Sequence, residues 1–129
     1  LFFKLYTNNN NVKVPESDRI IEIKLLNTVN YEIVEENIIN EFSDIKEYLN
    51  MLKSSTKVDE KNISTYSHDY PDREKLVVGH FKLSEDGGYT THYIYKEGDN
   101  FYFEQPYYGV FKLNLNDLYK YDMIIKFLN

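Results

Sequence analysis

The sequence predicts an α+β domain in which an antiparallel meander sheet is packed on one face by one long helix and a C-terminal helix. Three observations predict it. Between Glu74 and Leu113, turn residues recur at short intervals and separate stretches of alternating apolar and polar residues, the pattern of consecutive hairpin strands. Ile38, Phe42, Ile45, Leu49 and Leu52 recur at steps of four and three, which sets them on one face of a helix. Leu118, Tyr121, Ile125 and Leu128 repeat that spacing near the C-terminus. Both apolar stripes need a surface to cover, and the meander supplies one.

In chain order, residues 1–14 read as an anchor remnant and spacer, with apolar Leu1–Tyr6 followed by Asn8–Asn11. That apolar run is far shorter than the ~20 residues of a membrane span. Residues 15–129 read as a single domain, the usual count for a chain of this size. Residues 19–27 predict a strand, with Ile21, Ile23 and Leu25 alternating against Glu22 and Lys24. Asn27–Asn30 turn, and Tyr31–Val34 form a short returning strand. The long helix spans Glu35–Lys53, its first turn favoured by Glu35 and Glu36 at the positive end of the macrodipole. Residues 54–72 lose all periodicity and read as a long loop, with Ile63 or Tyr66 dipping into the core. Strands follow at Lys75–Leu83, Tyr89–Lys96, Phe101–Gln105 and Val110–Leu113. They are joined by turns at 85–88, 98–100 and 106–109. Asn114 or Asn116 then caps the last helix.

Tight turns set Phe81 opposite His92 and Ile94 opposite Phe103. One sheet face then carries Val77, Phe81, Leu83, Ile94, Phe101 and Phe103, which is a core face. The other carries His80, Lys82, Tyr89, Thr91, Tyr93, Tyr95, Tyr102 and Glu104. Tyrosine suits a half-solvated strand surface, so a solvated face of paired tyrosines accounts for this set. It also suits a binding platform, because it offers large contact area at small entropic cost. The candidate binding residues are Tyr93, Tyr95, Tyr102, Glu104, His80 and Tyr107. Gln105, Pro106 and Gly109 are explained by corner chemistry alone.

Composition and spacing exclude several chemistries. The net charge is −6 and only Arg19 and Arg73 are arginine, so no basic stripe exists for nucleic acid. There is no cysteine for a thiolate or a disulfide. His68, His80 and His92 match no zinc spacing, and His68 with Asp69 and Asp72 is a weak ligand set. No Gly-x-Ser-x-Gly elbow or calcium loop occurs. The expectation is a domain with no catalytic residues, metal or cofactor.

Residues 88–113, GYTTHYIYKEGDNFYFEQPYYGVFKL, resemble the C-terminal half of a family of small domains of unknown function. These occur in low-GC Gram-positive bacteria behind a signal or membrane anchor. The resemblance rests on Tyr93, Tyr95, Tyr102, Glu104, Gln105, Pro106, Tyr107 and Gly109, with Val110 in the last place. It implies an exported, membrane-tethered or secreted domain, tied to the membrane only through an N-terminal anchor. The expected function is extracytoplasmic, non-catalytic binding of a protein, a peptide or a cell-wall glycan by the tyrosine face. An alternative is an inhibitor of a secreted hydrolase, by fold analogy with cystatin-like domains, although no Gln-x-Val-x-Gly loop is present. A further alternative is an enzyme using His80 and Glu104 as an acid–base pair.

Overall fold

The computed structural model describes residues 12–63, 70–84 and 88–129. Among these described residues seven antiparallel strands form one sheet: β1 (Ile20–Val29), β2 (Glu32–Ile39), β3 (Thr56–Val58), β4 (Lys75–Leu83), β5 (Tyr89–Glu97), β6 (Asn100–Gln105) and β7 (Gly109–Lys112). Their order is β2-β1-β4-β5-β6-β7-β3, so β2 and β3 are the two edges. Three α-helices complete the fold among the described residues: α1 (Phe42–Lys53), α2 (Leu115–Leu118) and α3 (Asp122–Leu128). The expected α+β class is the observed one.

The first face of the sheet holds the main core. Val77, Phe81, Ile94, Phe101 and Phe103 lie there, as their alternation predicts, with Leu83 at the margin. Ile45, Tyr48, Leu49 and Leu52 of α1, together with Leu118, Tyr121, Ile124 and Leu128, close over them. Ile94 pairs with Phe103 as expected, but Phe81 pairs with Thr90, and His92 pairs with Gly79. That is a slip of two residues from the predicted register. A slip of two keeps every side chain on its own face, so the facial assignment survives.

Four elements differ from the sequence reading, and one is β3, a strand paired with β7 inside the expected loop of residues 54–72. The helix begins at Phe42, because residues 32–39 form a strand paired along β1. Ile33, Val34, Ile38 and Ile39 are β-branched and favour that pairing. Ile38 and Phe42 therefore fall off the buried stripe and are exposed. Ile21 is also exposed, because the β1–β4 ladder is irregular between Ile20 and Glu22. The last helix is broken into α2 and α3 around Tyr121, whose ring meets Tyr48 edge-on at 5.6 Å. Asn114 is the cap, accepting from the Asn116 amide at 2.9 Å.

Residues 1–11 of the expected anchor remnant lie outside the described residues. Val12 and Val14, expected in the spacer, pack against the main core. Between them, the Lys13 amide donates to Gln105 Oε1 at 2.8 Å, and Gln105 Nε2 donates back to the Lys13 carbonyl at 2.5 Å. Gln105 thus stands in for a strand partner and satisfies both backbone groups of Lys13. Replacing it with alanine is expected to cost about 1–2 kcal/mol, the penalty of stranding partly buried backbone groups. The bond after Lys13 then becomes the first trypsin cut in limited proteolysis. Unchanged cleavage would show that this segment is held by Val12 and Val14 alone.

Candidate functional site

The second face of the sheet is not an open tyrosine platform. Tyr95 and Glu104 are fully buried and Tyr93 is 7% exposed. A second cluster covers this half of the face. In it Leu26, Ile63, Leu76, Val78, Tyr93, Tyr95 and Val110 are buried, with Val58, Tyr70 and Tyr102 against them. Ile63 enters the core as expected, while Tyr66 and the His68–Asp69 pair lie outside the described residues. Arg73 lies over the Tyr95 ring, 4.4 Å from its centroid, donates to the Lys96 carbonyl at 2.6 Å and pairs with Glu97. It fastens the returning end of the long connection across β5. Under it, Tyr95 Oη donates to Glu104 Oε1 at 2.6 Å. Burial first, then this bond to a carboxylate, raises the Tyr95 pKa.

The signal for this cover is in the sequence. Strand β4 reads KLVVGHFKL, with Leu76 and Val78 of one parity beside Val77 and Phe81 of the other. A strand apolar on both faces is buried on both faces. Leu26 beside Leu25 in β1 says the same.

The six candidate residues therefore do not form one site. His80 is half-buried on β4, its Nδ1 3.0 Å from Thr91 Oγ1. Burial and then Lys24 lower its pKa. Glu104 pairs with Tyr93 across β5–β6, whereas His80 pairs with Thr91 across β4–β5. Two strand spacings of ~4.8 Å and a two-residue offset hold His80 and Glu104 apart. Tyr102 is half-buried beside Tyr95, with ring centroids 6.0 Å apart. Tyr107 stands at the β6–β7 corner, 71% exposed, in a left-handed conformation with φ 69°. Gly109 follows at φ 140°, a value an L side chain rarely takes.

The open half of the second face, over β2, β1, β4 and β5, is a groove that sequence reasoning missed. It consists of two adjoining depressions of about 420 and 330 Å³ that share Leu26, Ile33 and His80. Leu26, Ile33 and Val78 form an apolar floor. One wall is a run of tyrosines, with Tyr31 and Tyr70 centroids 5.5 Å apart and Tyr70 and Tyr93 5.1 Å apart. The Tyr31 hydroxyl donates to Asp72, the bond that contributes most to raising its pKa. The far end is charged, with Glu22, Glu36, Lys24 and Lys82 around the floor. The groove is missed because its floor mixes three strands, and because β2 reads as part of a helix.

Among the described residues no helix is long and apolar enough to cross a membrane. The fold is similar to that of "NMR structure of the protein from Ruminococcus gnavus". The TM-score is 0.58 at 22% identity, over 78% of this chain and 89% of that one. No curated protein matches the chain. A family model matches residues 8–112, from ahead of β1 to the end of β7 and so across every strand of the sheet, and the chain belongs to that family, DUF5301, described as "Domain of unknown function (DUF5300)".

Proposed function

We propose that this domain is a non-catalytic interaction module that holds a peptide segment of a partner protein in the groove over β2, β1, β4 and β5. One observation carries the reading. The long connection seals one half of the second face and leaves an apolar floor with an aromatic wall on the other half. The combined size suits a few side chains of a ligand. A peptide fits better than a glycan here. The floor is aliphatic, and the tyrosine rings contact one another along a wall rather than lying flat as stacking platforms.

Linear peptides selected by phage display on the immobilised protein provide the test. Ile33 is 60% exposed, so Ile33→Asp is expected to leave the melting transition within a degree or two, as surface changes do. The same change places a carboxylate on the floor and weakens the selected peptides by at least about tenfold. Peptides that bind Ile33→Asp unchanged but lose affinity for Tyr107→Ala would move the site to the β6–β7 corner and remove the groove from consideration.

A further inference from the structure

We infer that the segment held in the groove is basic and extended, and that it joins the sheet as an added strand on β2; the inference rests on the groove reading above. β2 ends the sheet, so among the described residues its outer row of backbone N–H and C=O groups faces no further strand. Large apolar side chains cluster along and beside it, with Tyr31, Ile33, Val34, Ile38 and Phe42 all exposed. Ile33 pairs with Thr28, and Ile38 pairs with Lys24. Thr28 and Lys24 line the groove, so Ile33 and Ile38 point to the groove side. An added strand would cover both and extend the groove floor by one strand.

Charge selects the occupant. β2 carries Glu32, Glu35 and Glu36 and no basic residue. Lys24 sits one strand further in, and His80 and Lys82 two strands further in, at ~4.8 Å per strand. The side chains directly opposite a new strand are therefore acidic and apolar. A second copy of this chain fits poorly, because antiparallel self-pairing about the strand centre sets Glu35 or Glu36 against its own copy in the second chain. Glu32 pairs with Val29 and Glu35 with Asn27, on the face opposite Ile33 and Ile38, so a strand alternating lysine or arginine with β-branched residues sets its bases against these two glutamates and its apolar side chains against the isoleucines.

The probe is a synthetic octapeptide alternating Lys and Val, titrated into the ¹⁵N-labelled full chain. The expected result is slowed amide exchange within Glu32–Ile39 and shifts at Ile33 and Ile38. Affinity should fall by about tenfold or more for the alternate-N-methylated peptide, for the Glu-Val counterpart and for Glu32→Lys/Glu35→Lys. Equal binding of the N-methylated peptide, with shifts at Leu26, His80 and Tyr93 but no protection on β2, would overturn strand addition and leave the groove reading standing. No response to the octapeptide would also overturn it; the groove reading falls too only if display-selected peptides ignore Ile33→Asp. Concentration-dependent protection of β2 without peptide would make a second copy the occupant and overturn the basic partner.

Discussion

Gly79→Ala is expected to destabilise the protein by more than about 3 kcal/mol, at or beyond the usual upper end of overpacking costs. A Cβ at this position would lie 2.2 Å from His92 Cε1, 2.4 Å from Nε2 and 2.9 Å from Nδ1. Gly79 and His92 are directly paired across β4–β5, and the imidazole lies over the glycine backbone. The residue is therefore glycine for space, since its φ is not among the positive ones. The ring has nowhere to go. It is stacked on Phe81 at 4.6 Å, and Tyr48 and Phe103 close in at 5.7 and 5.6 Å. Moving it also breaks its 2.7 Å hydrogen bond to the Tyr48 hydroxyl. Urea unfolding of Gly79→Ala, His92→Ala and the double variant measures the coupling. The double variant is expected to be more stable than Gly79→Ala alone, because removing the ring removes the clash. Strict additivity of the two losses would rule out the clash as the cause.

The meander could be read from sequence because its turns and its alternation agree. Asp99 and Gly98 end β5, Pro106 ends β6, and phenylalanines keep to one parity. Even the two-residue slip at β4–β5 left the faces intact. What could not be read depends on contacts between distant segments. Residues 32–39 carry both a helical stripe and a β-branched run, and only pairing with β1 decides between them. Leu76 and Val78 signal that the tyrosine face is covered, but not by what: Ile63 and Tyr70 are isolated apolar residues in a polar stretch, with no period to announce that they cover Tyr93 and Tyr95. The candidate site assumes an open face. His80 and Tyr93 do border the groove, while Tyr95 and Glu104 are sealed beneath the cover.

Acid is expected to weaken the fold through His92. The ring is fully buried among aromatic side chains, with Nδ1 unpartnered among the described residues. Burial, with a smaller push from His80, lowers its pKa from 6.5 to about 3. Below pH 6.5 the unfolded chain takes up a proton that the folded chain refuses until about pH 3. The unfolded state binds more protons across that window, so stability is highest above pH 6.5 and falls as pH falls. At ~1.4 kcal/mol per pKa unit, roughly 2 kcal/mol is gone by pH 5 and about 4–5 by pH 3. His80 contributes in the same direction, but it is only half-buried on the opposite face, and water screens it. Carboxylates add their own slope, so the test is a difference between proteins. Tyr48→Phe/His92→Phe replaces both hydrogen-bond partners with apolar rings of similar size, a change that leaves no stranded polar atom. Its stability at pH 7.5 is expected to stay near that of the parent. Between pH 7 and pH 4 the parent should lose about 3 kcal/mol more than the double variant by urea unfolding at each pH. Parallel pH profiles for the two proteins would show that His92 is protonated inside the folded core at little cost, and that acid lability arises from the surface carboxylates.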